Sequence, residues 1–206
     1  MPTSTFFRLP AEKRERLLTA ARREFARVSC AEASINRIIR EAGIPRGSFY
    51  MYFSGKTELF QYLTEEYARR LADWMEQLLR EERGDLLNAF ERMFDQILDR
   101  CLTPGSDEAA ENLMAILRRN AGLRHDALLP KLGPEALMEQ LVPAIDTGGL
   151  ALDGPEDLAD MLRILVGLTG PLLCVAVQGG DADGARERYH NSIAILRRGM
   201  AARPSP

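Results

Sequence analysis

Apolar residues recur at three- and four-residue spacing along nearly the whole of this 206-residue chain. Leu17, Leu18, Ala21, Phe25 and Val28 share one helical stripe, and Pro10 suits the first turn before it. Leu59, Phe60, Leu63, Tyr67, Leu71, Trp74 and Leu78 carry the same period along one long helix from Thr57 to Glu82. It returns in Leu86, Phe90, Met93, Phe94 and Ile97, then in Leu113, Ile116 and Leu117, and again in Leu137 and Leu141. Gly- and Pro-rich breaks separate the segments at 42–45, 53–56, 83–85, 103–107, 130–134, 147–155 and 179–184. No alternation of strand length occurs, so the pattern predicts an all-α chain of about nine helices and no sheet.

The last two helices differ from the rest. Pro134 and Pro155 each follow Gly and precede Glu, as helix starts do. The helix from about Pro155 to Val177 turns apolar all round in its second half, and Pro171 is expected to bend it or end it early. The final helix, about 185–200, sets Tyr189, Ile193, Leu196 and Met200 on one side and charge on the other. Two such helices, after a core is already supplied, predict a surface for a second copy over about 155–201. The alternative is that they are intramolecular core.

One stretch, "SINRIIREAGIPRGSFYMYFSGKTELF" (34–60), carries denser information. Ser34 suits an N-cap for a helix whose inner face is Ile35, Ile38, Ile39 and Ala42. Gly43 stands where a left-handed C-terminal residue is wanted, and Pro45 pre-sets the next helix. Two helices of about nine and eight residues across a tight turn form a helix-turn-helix. At about 100° per residue, Phe49, Tyr52 and Phe53 point inward. Gly47, Ser48 and Met51 point outward, flanked by Arg46 and Tyr50. That face holds no carboxylate and suits a major groove, where Arg pairs with guanine. Lys56 and the amides opening the next helix are placed to hold a phosphate.

Charge sharpens this picture. The whole chain is −3, but residues 1–60 hold eleven Lys/Arg against six Glu, and the rest holds 16 basic against 24 acidic groups. A basic head on an acidic body points to a polyanion at one end only. The composition, 46% hydrophobic and 28% charged, is that of an ordinary folded protein. Cys30, Cys101 and Cys174 are scattered, as in a reduced cytoplasmic protein, and the N-terminus lacks the apolar core of a signal peptide. The longest apolar run, 164–177, is broken by Gly167, Gly170 and Pro171 and falls short of the ~20 residues of a membrane span. No membrane partner is expected.

The order Ala42-Gly43-Ile44, Gly47, Tyr50-x-x-Phe53, x-x-Lys56, x-x-Leu59, after a helix ending in Phe25, resembles the DNA-binding domain of TetR/AcrR-type transcriptional regulators. The resemblance covers about residues 10–60. It implies three short helices, a long fourth helix, and a divergent all-helical body that binds a ligand and dimerises through its last two helices. Domains of 1–55 and 56–206 follow. So does a repressor that binds a palindromic operator as a homodimer and releases it when a small effector enters the body. By position, Ser34, Asn36, Arg46, Gly47, Ser48, Tyr50 and Lys56 form the DNA-binding set, with Phe49 and Phe53 as core. Pro45 stands where the family often has Ser or Thr, and Ile39 where it usually has Ala.

The body says less. Its two histidines, His125 and His190, lie far apart with no Cys/His cluster, so neither a metal nor another cofactor is expected. Cys101 and Cys174 read as small buried hydrophobes rather than oxidant sensors. Trp74, Phe90, Phe94 and Met114 are candidates to wall a pocket for an apolar or amphipathic effector, with Met93 and Met138 nearby in the pattern. Arg118, Arg119 and Arg124 form a solvated face or meet an anionic head group. Two other classes of function fit the sequence less well. A small helical enzyme lacks any nucleophile–base pair, HExxH or phosphate loop, and a protein-binding adaptor sits poorly with the small polar face of the hairpin.

Overall fold

The computed structural model describes residues 2–103, 112, 115, 116, 119, 120, 139–154, 156–179 and 181–200. Among these the chain is helical and has no strand. In order come α1 (Ser4–Phe7), α2 (Ala11–Arg27), α3 (Ile35–Ala42), α4 (Arg46–Tyr52), α5 (Lys56–Glu81), α6 (Leu86–Leu102), a 3-10 turn at Val142–Ala144, α7 (Asp157–Gly179) and α8 (Ala182–Met200). The expected all-α architecture is thus present, with one addition. The four-residue α1 precedes the three short helices that the resemblance implies. Met114, Met138, His125, Arg118 and Arg124 lie outside the described residues.

The chain divides into two compact units. The first comprises Met1–Ala68 with Glu108–Pro130, and the second Arg69–Asp107 with Lys131–Pro206, so α5 contributes to both. In the first, Leu17, Leu18, Ala21 and Phe25 of α2 meet Ile38 and Ala42 of α3, Phe49 and Phe53 at α4, and Leu59, Phe60 and Leu63 of α5. Phe25 and Phe60 meet edge to face at 5.0 Å, which adds directional contact to plain area burial. Ile116 enters the same core. Beside it the buried Asn120 accepts from the Cys30 amide at 3.0 Å and donates to Ile116 O at 2.8 Å.

The second unit is built on α6, α7 and α8. The rings of Phe94 and Tyr189 stack at 3.9 Å, and the Tyr189 hydroxyl meets Thr169 Oγ1 at 2.8 Å. Burial pushes the Tyr189 phenol well above its ordinary value, so it stays a neutral hydrogen-bonding group. Tyr189, Ile193 and Met200 are all buried against this core, with Leu196 beside them. The apolar stripe of the last helix is therefore spent within its own unit. Other positions remain outside: Ile164 (48% exposed) and Val175 (53%) on α7, and Ile195 (60%) on α8.

Pro171 lies inside α7, which continues to Gly179, so of the two expected outcomes early termination does not occur. Two expectations need correction. The apolar stretch is longer than the uninterrupted run suggested. Over Asp157–Ala176 it reaches 20 residues and is long and apolar enough to cross a membrane by length and composition, with 39% of it buried inside the protein. The run from 164 starts after the charged Arg163, whereas the longer stretch reaches back past it to Asp157. Cys101 and Cys174 are partly exposed, and Cys30 is the buried thiol. His190 faces Asp95 at 3.0 Å, and Asp95 also pairs with Arg186 at 2.7 Å.

Candidate nucleic-acid interface

The helix-turn-helix is organised by its turn. Gly43 has φ +67° and ψ +35°, the left-handed conformation that spares glycine a Cβ penalty. Ile44 N then reaches back to Ile39 O at 3.0 Å and Gly43 N to Arg40 O, closing the end of α3 as a Schellman motif. The start of α3 is capped by Ser34, whose hydroxyl accepts from the Arg37 amide at 3.4 Å. A Cβ at Gly43 would meet nothing within 4 Å, so the cost of Gly43→Ala is backbone strain alone. The expected loss is about 1 kcal/mol in urea denaturation, and a loss near zero would refute the conformational argument.

A second device is absent from the pattern reading. The Glu24 carboxylate, 1% exposed, accepts from Arg27 Nη2 at 2.9 Å, from Arg27 Nε at 3.0 Å and from the Ser34 amide at 2.9 Å. Arg37 Nε stands 3.4 Å away. Burial pushes this carboxyl up, but the hydrogen bonds from Arg27 and Ser34 and the charges of Arg27 and Arg37 outweigh it. The group is held below its ordinary value of 4.5. Glu24 thereby ties the end of α2 to the first turn of α3.

On α4 the inward aromatics are buried as expected: Phe49 and Phe53 fully, Tyr52 nearly so. Arg46, Gly47, Tyr50 and Met51 are exposed, and Ser48 is half-buried. Arg46 Nη1 donates to Asn36 Oδ1 at 2.6 Å, and its guanidinium lies 5.9 Å from the Tyr50 ring centroid. The two helices of the motif therefore share one polar cluster, Asn36–Arg46–Tyr50, on the solvent side. Tyr50 (47% exposed) and Met51 (58%) stand out from it. Among the DNA-binding set, Lys56 is the residue whose surroundings sequence spacing could not reveal. Its ammonium donates to Ala31 O and, at 3.0 Å, to Ala33 O, tethering the α2–α3 loop to the start of α5. One of its three N–H bonds is left over from these two. Nearby, Arg119 Nε donates to Ala26 O at 2.7 Å.

Of the candidate effector residues, Trp74, Phe90 and Phe94 fall in the second unit, and Met114 lies outside the described residues. Phe90 and Phe94 belong to that unit's core, whereas Trp74 lies at the edge with the Arg100 guanidinium 4.7 Å from its ring centroid. Among the described residues no group of His, Cys, Asp and Glu is arranged to hold a metal ion.

Comparison with known proteins bears on this face. The model of bacterial regulatory proteins of the tetR family matches residues 17–63, the segment that carries α3 and α4. An uncharacterized HTH-type transcriptional regulator of Bacillus subtilis (strain 168), YdgC, is 30% identical over 177 residues, covering 76% of this chain and 90% of that protein. A TetR family transcriptional regulator from Chloroflexus aurantiacus J-10-FL shares 26% identity at a TM-score of 0.51, over 98% of this chain and 100% of that one. One from Pectobacterium atrosepticum has a TM-score of 0.61 at 20% identity, over 96% and 100%, a likeness of fold. A matched motif at the segment that builds the exposed polar cluster, and a relative of 30% identity that extends through the body, have one meaning: the chain belongs to the TetR family of bacterial transcriptional regulators, which bind DNA and are not enzymes.

Proposed function

We propose that this regulator is a repressor that binds a palindromic operator as a homodimer and lets go when a small effector enters its body. The observation that carries the reading is the solvent face of α4. Arg46 is steadied by Asn36, Gly47 lets the backbone approach, Ser48 and Tyr50 offer hydroxyls, and no carboxylate interrupts them. On this reading Arg46, Ser48 and Tyr50 meet bases, while Ser34, Asn36 and the remaining N–H of Lys56 serve phosphates or neighbouring bases. Residues 1–55 are the reading head and 56–206 the effector-binding and dimerising body.

The homodimer is proposed through α7 and α8. Supporting it, Ile164, Gly167, Pro171 and Val175 form an exposed apolar line on α7, and Ala194 and Ile195 one on α8. Such a line in a DNA-binding regulator suits a partner helix better than lipid, and a cytoplasmic location goes with it. The effector is proposed to be apolar or amphipathic, with Trp74, Phe90 and Phe94 as its contacts. Trp74, Phe90 and Phe94 lying in one unit with Tyr189 supports an apolar setting.

Selection of bound sequences from random duplex DNA tests the reading, followed by competition with a panel of lipophilic compounds. A palindromic consensus whose binding weakens steeply with salt, by ~0.9 log per log for each phosphate neutralised, is the expected result. Arg46→Ala should cost about 1–3 kcal/mol of discrimination at one base pair and flatten the consensus there. Absence of any sequence-preferring binding at low salt refutes the proposal.

A further inference from the structure

The reading helix α4 is poorly equipped to hold its own shape. It has seven residues, far below the ~12–15 at which an isolated helix becomes marginal, and carries Gly47 inside it. Its N-cap, Pro45, makes no side-chain cap hydrogen bond. At its C-terminus the backbone turns extended at Phe53 (φ −135°, ψ 139°), with one closing bond from Phe53 N to Phe49 O at 2.9 Å. The last turn of a helix leaves four carbonyls in need of donors.

Two of those carbonyls are met by a residue 48 or more positions earlier. Thr3 Oγ1 donates to Met51 O at 2.6 Å, and Thr3 N donates to Tyr52 O at 3.1 Å. Thr3 is itself the N-cap of α1, where a threonine hydroxyl ordinarily accepts from its own helix, yet it makes no such bond. The hydroxyl is turned across to α4 instead. Phe6, fully buried, anchors the segment. Its ring meets Phe53 at 4.9 Å, Tyr62 at 5.2 Å and Tyr52 at 6.4 Å, and Arg14 Nη1 donates to Phe7 O at 3.3 Å.

We propose that the segment Thr3–Phe6 is a clamp added in front of the helix-turn-helix, and that Thr3 and Phe6 are positioning residues that fix the pitch and axial setting of α4 and so set how sharply it discriminates bases. The proposal rests on the DNA-binding reading above. Thr3 pins the carbonyl of Met51 in the last turn of α4 while the side chains of Tyr50 and Met51 stand exposed. A rotation of α4 would break this pin first. Losing it frees the exposed residues to meet a groove in several settings, which weakens base contacts that demand alignment and leaves phosphate attraction nearly untouched.

The test uses the full chain and two duplexes of equal length and base composition, the selected consensus and a scrambled one. Thr3→Val keeps the shape of an exposed side chain and removes its donor. Its affinity for the consensus should fall roughly three- to tenfold, the equivalent of one hydrogen bond. Its affinity for the scrambled duplex should stay at the wild-type value, and its thermal midpoint should fall by no more than about 2–4 °C, the cost of one hydrogen bond. Thr3→Ser, which retains the hydroxyl, should restore the ratio. Phe6→Ala should lower both the ratio and the thermal midpoint. An unchanged ratio in Thr3→Val, or an equal loss on both duplexes, overturns the clamp while the DNA-binding reading stands. A wild type that shows no preference for any duplex overturns that reading and the clamp with it.

Discussion

Glu24→Ala is expected to lower the stability of the protein by about 2–4 kcal/mol and to remove sequence-specific duplex binding with it. Breaking a buried charge pair from one side typically costs ~3–5 kcal/mol, because the other side is left uncompensated. Here Arg27 and Arg37 are about half exposed and can turn to water, which trims the loss. The Ser34 amide loses its carboxylate acceptor at the first turn of α3. A thermal scan should show a midpoint lower by roughly 5–15 °C. Glu24→Gln, which keeps an acceptor for Ser34 but not the charge, should fall between the two. The pH dependence has a definite sign. A carboxyl held below its ordinary 4.5 in the folded state contributes stability that is present above that value and lost as pH falls through the folded one. The gap between wild type and Glu24→Gln should therefore be constant from neutrality to about pH 5 and narrow on further acidification. A gap that stays the same width down to acid unfolding would show that the charge of Glu24 does not act as described.

Gly84→Ala is expected to be comparably damaging, in the other unit and for a different reason. Gly84 sits at φ +86° in the α5–α6 connection, directly after Arg83, itself at φ +55°. A left-handed backbone alone costs an L-residue ~1–2 kcal/mol. Space is the larger obstacle. A Cβ on Gly84 would lie 2.5 Å from Asp146 N and 2.8 Å from Asp146 Cβ, and backbone cannot swing aside as a long side chain can. Asp146 N also donates to Gly84 O at 3.0 Å, so relieving the clash breaks a hydrogen bond. The sum is about 3 kcal/mol, read by urea denaturation of the full chain. A loss below ~1 kcal/mol would mean that the 142–146 segment does not sit against this turn. Gly43→Ala serves as its control, because it shares the left-handed backbone and lacks the clash.

The hairpin was legible because its signals are local. Gly43 had to stand at the end of α3, Pro45 had to precede α4, and the aromatics at 49, 52 and 53 could fall on only one side of a helix. Other features were hidden by distance along the chain. Lys56 read as a phosphate ligand by its place before a helix, but its partners Ala31 and Ala33 lie more than twenty residues away. Glu24 lies in a highly charged helix, where spacing does not single it out. α1 is too short for any periodicity to register. Tyr189, Ile193 and Met200 made an apolar stripe that predicts a surface for a second copy, with intramolecular core as the alternative, and packing on α6 and α7 buries all three.

What the order of residues determined by itself is the helical class, the positions of the breaks and the inner and outer sides of the reading helix. These follow from φ limits and a 3.6-residue period, which act within a few residues. Tertiary structure alone decided how that helix is held: Thr3 on its last carbonyls, Phe6 against its aromatics, and Asn36 bonded to Arg46. Each of those contacts joins groups that meet only after the chain has folded back, and hydrogen-bond geometry, unlike periodicity, leaves no trace in spacing.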